Sequence, residues 1–144
     1  MKKTSISYSA VVLDESSRSL LLSKVSTYIP PDWTIKADHM TITLGPIVDP
    51  KGRWDLSTHY TKGSRISLEV GAIRVDQRAI AVEIELPKGY ITRNTYPHIT
   101  IAINAAQGAK ARHSNDIDPV MSTKIESFQI SGLVQEIPQL RNPT

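Results

Sequence analysis

Apolar and polar residues alternate with a period of two along two neighbouring segments of the chain. Residues 66–70 read Ile-Ser-Leu-Glu-Val, and residues 80–86 read Ile-Ala-Val-Glu-Ile-Glu-Leu. Because successive side chains of a strand point to opposite faces, each segment predicts a strand with one buried face. Residues 76–78 between them are typical of a hairpin turn, and Gly71 is a candidate bulge.

One helix and four more strands complete the predicted elements. Asp14 is a good N-cap for a helix over residues 15–25. Leu20, Leu21 and Leu22 of this helix are expected to face the core. Runs rich in β-branched and other apolar residues predict strands at 5–13, 39–45, 98–104 and 128–137.

Two segments lack a clear period. Residues 46–63 hold Gly, Pro, Asp and Lys and predict a long surface loop. Residues 107–123 are mixed, and Ser114 or Asn115 could start a short helix there. No linker divides the chain, so one domain is expected over residues 1–144. The order β-α-β, then β-β, then β-α-β indicates an α+β fold with a largely antiparallel sheet.

The composition is ordinary for a globular protein and narrows the function only slightly. Hydrophobic residues make up 40% of the 144 residues and charged residues 22%. Seventeen Lys and Arg against fourteen Asp and Glu leave a net charge of +3. This charge permits an anionic substrate, but the chain lacks the dense basic runs of a strong duplex-binding protein.

The chain has no cysteine, which excludes a disulfide framework and a thiolate metal site. No apolar run approaches the length of a membrane span. The start, Met1-Lys2-Lys3, lacks the apolar core of a signal peptide. We therefore expect a soluble, cytoplasmic protein that does not contact a membrane.

A short internal repetition is the most informative feature of the sequence. Residues 39–45 read His-Met-Thr-Ile-Thr-Leu-Gly, and residues 98–104 read His-Ile-Thr-Ile-Ala-Ile-Asn. Alternation predicts that the core face carries Met40, Ile42 and Leu44 in the first copy and Ile99, Ile101 and Ile103 in the second. The opposite face then carries His39, Thr41 and Thr43 in the first strand and His98, Thr100, Ala102 and Asn104 in the second. Each strand thus presents a His and a Thr two residues apart.

Two such strands carry the groups that cleavage of a phosphodiester needs. The attacking oxygen must lose a proton to a base, and the leaving oxygen must gain one from an acid. Histidine, with a pKa of about 6.5, serves as either near neutral pH. Threonine hydroxyls can donate hydrogen bonds to the phosphoryl oxygens, where charge develops in the transition state. No metal is needed for these steps.

A lone His-x-Thr tripeptide usually marks only a half-exposed polar face of a strand. Two copies, each followed by alternating apolar residues, favour a shared function because independent local features then agree. The pairing is therefore the signal, and it makes His39, Thr41, His98 and Thr100 the candidate catalytic residues.

The two tripeptides resemble the signature of the 2H phosphoesterase superfamily, and the separation of the motifs is also similar. The context includes Trp33 and Lys36 before the first motif, and Pro97 before and Ser114-Asn115 after the second. This context most resembles cyclic-phosphodiesterase domains associated with RNA repair and tRNA ligases. The resemblance implies a two-lobed, pseudo-twofold fold of mostly antiparallel sheets flanked by short helices, with the active site in a central cleft.

The resemblance also implies a reaction. It implies hydrolysis of 2′,3′-cyclic phosphates, 2′–5′ linkages or related cyclic nucleotide phosphodiesters, without a metal or other cofactor. Some phage members of the superfamily degrade cyclic oligonucleotide immune signals, and a short chain also suits this counter-defence (anti-CBASS) role. Whether this chain is of host or phage origin stays open.

Five further residues are candidate substrate contacts, namely Lys36, Trp33, Tyr96, Lys110 and Asn115. Lys36 could hold a phosphate as a point charge or lie solvated in a loop. Trp33 and Tyr96 could stack on a base or cover the core. Lys110 and Asn115 belong to a polar cluster that could grip the substrate or remain a solvated loop.

The remaining histidines, His59 and His113, lack a threonine partner and are expected at the surface. Four scattered histidines invite a zinc site, but His39 and His98 have no H-x-H or H-x₃-H companion. No metal site is predicted.

Three hypotheses follow for the function. The first is a monomeric phosphodiesterase acting on a nucleotide or RNA terminus that carries a cyclic phosphodiester, with one histidine as general base and the other as general acid. The second is a nucleotide- or RNA-end-binding module on the same scaffold, without turnover. The third is a structural subunit of a larger complex. The sequence leaves open the substrate and which histidine takes which role.

Overall fold

The computed structural model describes residues 5–139, and strands dominate the order of its elements. In chain order they are β1 (Ile6–Leu13), α1 (Glu15–Val25), β2 (Thr34–Ile35), β3 (His39–Leu44), β4 (Arg65–Val75), β5 (Ala79–Glu85), β6 (His98–Ile103) and β7 (Ser122–Pro138). Short 3₁₀ turns lie at Ser26–Tyr28, Ala105–Gln107, Ala111–Asp116 and Pro119–Met121. Residues 1–4 and 140–144 of the expected domain lie outside the described residues.

The strands form one antiparallel sheet that closes on itself. Their order is β2-β6-β3-β1-β7-β4-β5, and β5 pairs again with β6, so six strands make a barrel to which β2 adds a short extension. The expected mostly antiparallel fold with short helices is confirmed, but two distinct lobes are not seen. The reason is that strand pairing is continuous around the barrel. β7 pairs with both β1 and β4, and β6 pairs with both β3 and β5, so no gap in hydrogen bonding separates the sheet into two lobes.

The helix α1 begins and ends where the sequence predicts. Asp14 Oδ1 accepts a hydrogen bond from the Ser17 backbone N–H at 2.9 Å, which is the N-cap contact. Of the three leucines expected in the core, only Leu21 is fully buried, whereas Leu20 is 38% exposed and Leu22 is partly buried. Consecutive helical residues lie about 100° apart, so three in a row cannot share one face. Within residues 5–139, no helix combines the length and apolarity needed to cross a membrane.

The hairpin of β4 and β5 is confirmed, with residues 76–78 as its turn. The register shifts between Val70 and Ala72, so Gly71 is the extra residue of the predicted bulge. The last strand begins at Ser122, well before the expected start at residue 128, because it goes on pairing with β4 beyond this bulge.

The segment 46–63 has one isolated bridge and otherwise no regular structure, as expected, but it is anchored to the barrel. Ile47, Leu56 and Tyr60 are buried and belong to the core. Asp49 is buried as well, and a hydrogen bond from the Arg53 side chain lowers the pKa of this carboxyl to about 2. The segment is therefore a surface loop, as expected, and a few buried side chains attach it to the barrel.

Apolar side chains from the strands of the barrel fill the core, among them Val11, Met40, Ile42, Leu68, Ile80, Ile99, Ile101 and Val134. Gly132 of β7 lies between two strands, since it pairs with Leu13 of β1 and with Ile66 of β4. A Cβ at Gly132 would overlap the backbone carbonyl of Val12. The close approach of β7 to β1 therefore depends on this glycine.

Candidate active site

Matched bulges in the two motif strands set where their histidines and threonines point. Between β3 and β1 the register shifts directly after Thr41, which leaves Ile42 as the extra residue. Between β6 and β5 the shift follows Thr100 and leaves Ile101 as the extra residue. In each strand the extra residue comes directly after His-x-Thr, so the repetition in the sequence corresponds to a repeated local geometry.

The bulges also correct the expected faces of both strands. Thr43 is buried although alternation predicts it on the polar face, and Leu44 is 75% exposed although alternation predicts it in the core. Ala102, predicted on the polar face of β6, is likewise fully buried. An extra residue flips the side chains that follow it, so the period-two pattern holds only as far as Thr41 and Thr100.

One cavity of about 480 Å³ brings the two motifs together. β3 and β6 are antiparallel neighbours that pair Met40 with Ile99, and this register brings each histidine next to the threonine of the other strand. The cavity is lined by Tyr8, Lys36, Asp38, His39, Thr41, Leu44, Asn94, His98, Thr100, Ala111, Arg112 and Asn115. All four candidate catalytic residues thus border the same space.

The ring of His98 is held by Tyr96 in two ways. Its Nδ1 lies 2.7 Å from the carbonyl oxygen of Tyr96, and the two rings pack together in a tilted arrangement with their centroids 4.4 Å apart. A carbonyl only accepts, so Nδ1 donates, and the neutral ring keeps Nε2 free to take a proton. His98 is 6% exposed, and this burial lowers its pKa below the ordinary histidine value.

A mostly buried arginine packs against the same tyrosine. The guanidinium carbon of Arg74 lies 3.8 Å from the centroid of the Tyr96 ring, a cation–π contact, and its Nε lies 3.2 Å from a Glu83 carboxylate oxygen. Burial is the largest cause of the lowered pKa of His98. The hydrogen bond to Tyr96 raises this pKa, whereas the positive charges of Arg74 and His39 lower it. These surroundings favour the neutral imidazole of His98.

His39 has a neighbour of the opposite charge. Its ring stacks on Tyr8, with the centroids 4.9 Å apart and the planes 28° from parallel. Burial lowers the pKa of His39, but the carboxylate of Asp38 raises it. Asp38 remains half-exposed and lies 3.4 Å from Nε of Arg18. Of the two histidines, His39 is the one whose charged neighbour stabilises the protonated ring.

The second motif is also linked to the 3₁₀ turn Ala111–Asp116, which begins a few residues before the predicted start at Ser114 or Asn115. Thr100 Oγ1 and Ser114 Oγ lie 2.8 Å apart within hydrogen-bond distance. The Tyr96 hydroxyl donates to the Ser114 carbonyl at 2.8 Å. One tyrosine therefore supports both His98 and the turn that contacts Thr100.

A strained residue precedes the first motif. Ala37 has a φ of 50°, in the left-handed region, and is fully buried. The N–H of Ala37 donates to the Thr100 carbonyl, and the N–H of Lys36 donates to the Ile101 carbonyl, both at 2.8 Å. These bonds fix the segment to β6, and the charged residues on either side of Ala37, Lys36 and Asp38, both line the cavity.

The five predicted substrate contacts are distributed over three environments. Lys36 and Asn115 line the cavity, whereas Lys110 lines a neighbouring concavity. Trp33 is not among the lining residues and packs against the core, where its ring covers apolar surface. Tyr96 is not among them either, since its ring and hydroxyl hold His98 and the Ser114 turn. Both environments match the alternative in which these rings have a packing role, and a direct contact of Trp33 or Tyr96 with substrate stays a prediction.

Asp38, Leu44 and Asn94 line the cavity without being predicted from the sequence. Asp38 could have been predicted from the sequence, because it directly precedes the histidine of the first motif and an acidic residue there changes the charge of the site. Leu44 depends on the bulge, and Asn94 lies in an irregular segment between β5 and β6, so neither shows in the hydrophobic pattern.

The other two histidines contact backbone groups and are not among the lining residues. His59 Nδ1 lies 2.6 Å from the Gly89 carbonyl, and His113 Nδ1 accepts from the Lys110 N–H at 2.9 Å. In the part of the chain that the structure describes, no three His, Cys, Asp or Glu side chains are grouped so as to hold a metal ion.

Comparison with known proteins informs the fold. No family model and no curated protein matches the sequence. Among solved structures, the chain is similar to the crystal structure of E. coli LigT complexed with NADP+, a 2H phosphoesterase. The match has a TM-score of 0.51 at 16% sequence identity and covers 96% of each chain. The resemblance inferred from the two motifs is thereby confirmed as a likeness of fold over nearly the whole chain.

Proposed function

We propose that this protein is a metal-independent phosphodiesterase of the two-histidine kind. The observation that carries the proposal is that His39 and His98, on adjacent strands, line one cavity together with Thr41 and Thr100. A phosphorus atom placed between the two imidazoles has a proton acceptor and a proton donor within reach, as phosphodiester hydrolysis requires. The fold shared with E. coli LigT adds support by analogy.

The surroundings of the two rings assign their roles in this proposal. His98 is the general base, because its Nδ1 proton is committed to the Tyr96 carbonyl and Nε2 is left to accept a proton from water. His39 is the general acid, because Asp38 stabilises its protonated form. His98 takes a proton from the attacking water as the new P–O bond forms, and His39 gives one to the leaving ribose oxygen as the old P–O bond breaks.

Charge on the phosphoryl group is balanced by the residues around it. The hydroxyls of Thr41 and Thr100 donate to the non-bridging oxygens, where negative charge increases in the transition state. Lys36 and Arg112 add positive charge to the lining of the same cavity.

The cavity suits a nucleotide. Its volume lies in the range of about 300–1,000 Å³ that is typical of small-molecule sites. Leu44 and Tyr8 offer apolar surface to a sugar or base. Asn115 also lines the cavity and adds a polar side chain to its wall. E. coli LigT was crystallised with NADP+, which is itself a nucleotide.

The substrate class proposed is therefore a 2′,3′-cyclic phosphate or a related cyclic or 2′–5′ nucleotide phosphodiester. Such a reaction serves either RNA-end processing or the breakdown of a cyclic oligonucleotide signal. The test is a product assay over 2′,3′-cyclic mononucleotides, RNA with cyclic-phosphate ends, 2′–5′ linked dinucleotides, cyclic di- and trinucleotides and cyclic ADP-ribose derivatives. We expect turnover of at least one, at the same rate with and without EDTA. Loss of turnover in EDTA would contradict the metal-free mechanism. Absence of turnover on every compound would contradict the proposal that the protein is a phosphodiesterase.

We expect kcat/KM to be bell-shaped in pH with its maximum below about 6.5, the ordinary histidine pKa. Burial lowers the pKa of both histidines. The rate falls as pH drops through the pKa of His98, which must be neutral, and falls as pH rises through the pKa of His39, which must be protonated.

The same measurement on Asp38→Asn tests the assignment of roles. Removing the carboxylate lowers the pKa of His39, so the alkaline limb should move to lower pH while the acidic limb stays in place. Movement of the acidic limb alone would contradict the assignment of His39 as the acid.

A further inference from the structure

A second concavity, of about 360 Å³, adjoins the active-site cavity. Two residues, Lys36 and Ala111, line both spaces, and we call the two adjoining spaces together the groove. The far part of the groove is formed by the loop that follows β6, and it includes Ala105 and Lys110. Nothing in the proposed hydrolysis of a single phosphodiester uses this part.

The groove is positively charged along its length. Lys36 stands where the two spaces meet, Lys110 lies in the far part and Arg112 in the near part. Among the described residues that line either space, Asp38 is the only acid. A row of cations with small and apolar walls suits a chain of phosphates joined by sugars.

The far part of the groove is held in register with the catalytic residues. The Thr100 hydroxyl lies 3.4 Å from the Ala111 carbonyl, at the boundary between the two spaces. The Lys110 backbone N–H donates to His113 at 2.9 Å, which ties this lysine to the 3₁₀ turn Ala111–Asp116. The backbone of Lys110 is thus fixed beside the catalytic residues, and its flexible side chain carries the positive charge at the far part of the groove.

We propose that the far part of the groove is a subsite for a second phosphate of the substrate. This inference rests on the proposed phosphodiesterase function and narrows its substrate class. The preferred substrate is an oligonucleotide, with the scissile phosphodiester between the histidines, Lys36 between the two phosphates and Lys110 on the second phosphate. A mononucleotide fills only the near part.

The test compares two substrates that differ by the second phosphate. One is a 2′,3′-cyclic mononucleotide without a 5′-phosphate, and the other is a dinucleotide that ends in the same cyclic phosphate. In Lys110→Gln, kcat/KM for the dinucleotide should fall about tenfold through KM, the effect of losing one charge-assisted contact. The value for the mononucleotide should stay within a factor of two. Lys88→Gln, which changes an exposed lysine outside the groove, should leave both substrates unaffected.

Equal losses on both substrates, or no loss on either, would overturn the subsite. Dissociation constants of the same two compounds for the His98→Ala protein, with and without Lys110→Gln, give a second readout that needs no turnover. If the unaltered protein cleaves neither these two compounds nor any other compound of the substrate panel, the proposed function fails, while a tighter, Lys110-dependent binding of the dinucleotide would still support the subsite. Repeating the comparison with a cyclic dinucleotide identifies whether the second phosphate comes from a linear or a cyclic chain.

Discussion

Replacing His98 with Ala is expected to lower kcat on a cyclic phosphodiester by about 10²–10⁴-fold, the usual contribution of one general base. His98 Nε2 is the proton acceptor in the proposed mechanism, and no neighbouring side chain replaces it at the same position. KM should change little, because the threonines and Lys36 that hold the phosphate remain. Steady-state kinetics separate the two parameters.

His39→Ala should reduce kcat to a similar extent, because the leaving oxygen then departs without a proton donor. The matched control is His59→Ala, which removes a histidine that contacts the Gly89 carbonyl and does not line the cavity. It should keep full activity. The pH profile gives a second readout. His98→Ala should lose the fall in rate at low pH, and His39→Ala should lose the fall in rate at high pH.

The same variants distinguish an enzyme from a binding module on this scaffold. A module without turnover has no rate to lose, and both variants would change only the affinity for a nucleotide. Full activity in either alanine variant would exclude the two-histidine mechanism.

A substitution outside the lining of the cavity should have the largest effect on folding. Gly132→Ala is expected to lower the free energy of unfolding by about 3 kcal/mol or more, at the upper end of what overpacking costs. The added methyl group would overlap the Val12 carbonyl, which is part of the backbone of β1 and cannot rotate away. Because β7 pairs with β1 and β4 at this point, relief requires separation of strands in the barrel. Urea denaturation measures the change.

Gly71→Ala is the matched control for this prediction. Gly71 also lies within a long strand, but a Cβ placed there meets no atom within 4 Å. Its replacement should change the free energy of unfolding by less than about 1 kcal/mol, since only backbone flexibility in the bulge is affected. Similar losses in the two alanine variants would show that the close contact at Val12 is not what matters.

The elements that the sequence predicts well are those with a local cause. The helix over residues 15–25 has a capping Asp14, and the β4–β5 hairpin has clean alternation around a short turn. Both depend on residues near one another in the chain. The meeting of His39 with His98 could be predicted only because the two motifs repeat each other, which made a long-range pairing visible in the sequence.

The features that sequence reasoning missed have non-local causes. Closure of the barrel depends on β5 pairing with β6, and β2 is only two residues long and exists through its pairing with β6. The bulges at Ile42 and Ile101 interrupt alternation without any Gly to mark them. They decide that Leu44 borders the cavity and that Thr43 does not. No pattern of hydrophobic residues along the chain contains this information.

The carbonyl of Tyr96 has a consequence for how this site can diversify. The acceptor that selects the tautomer of His98 belongs to the main chain, so no side-chain replacement removes it. Residues around the groove can therefore be exchanged to accommodate new ligands while Nε2 of His98 stays unprotonated and able to accept a proton. A library that randomises Leu44, Asn94 and Lys110 would explore ligand preference while the main chain goes on fixing the tautomer of His98.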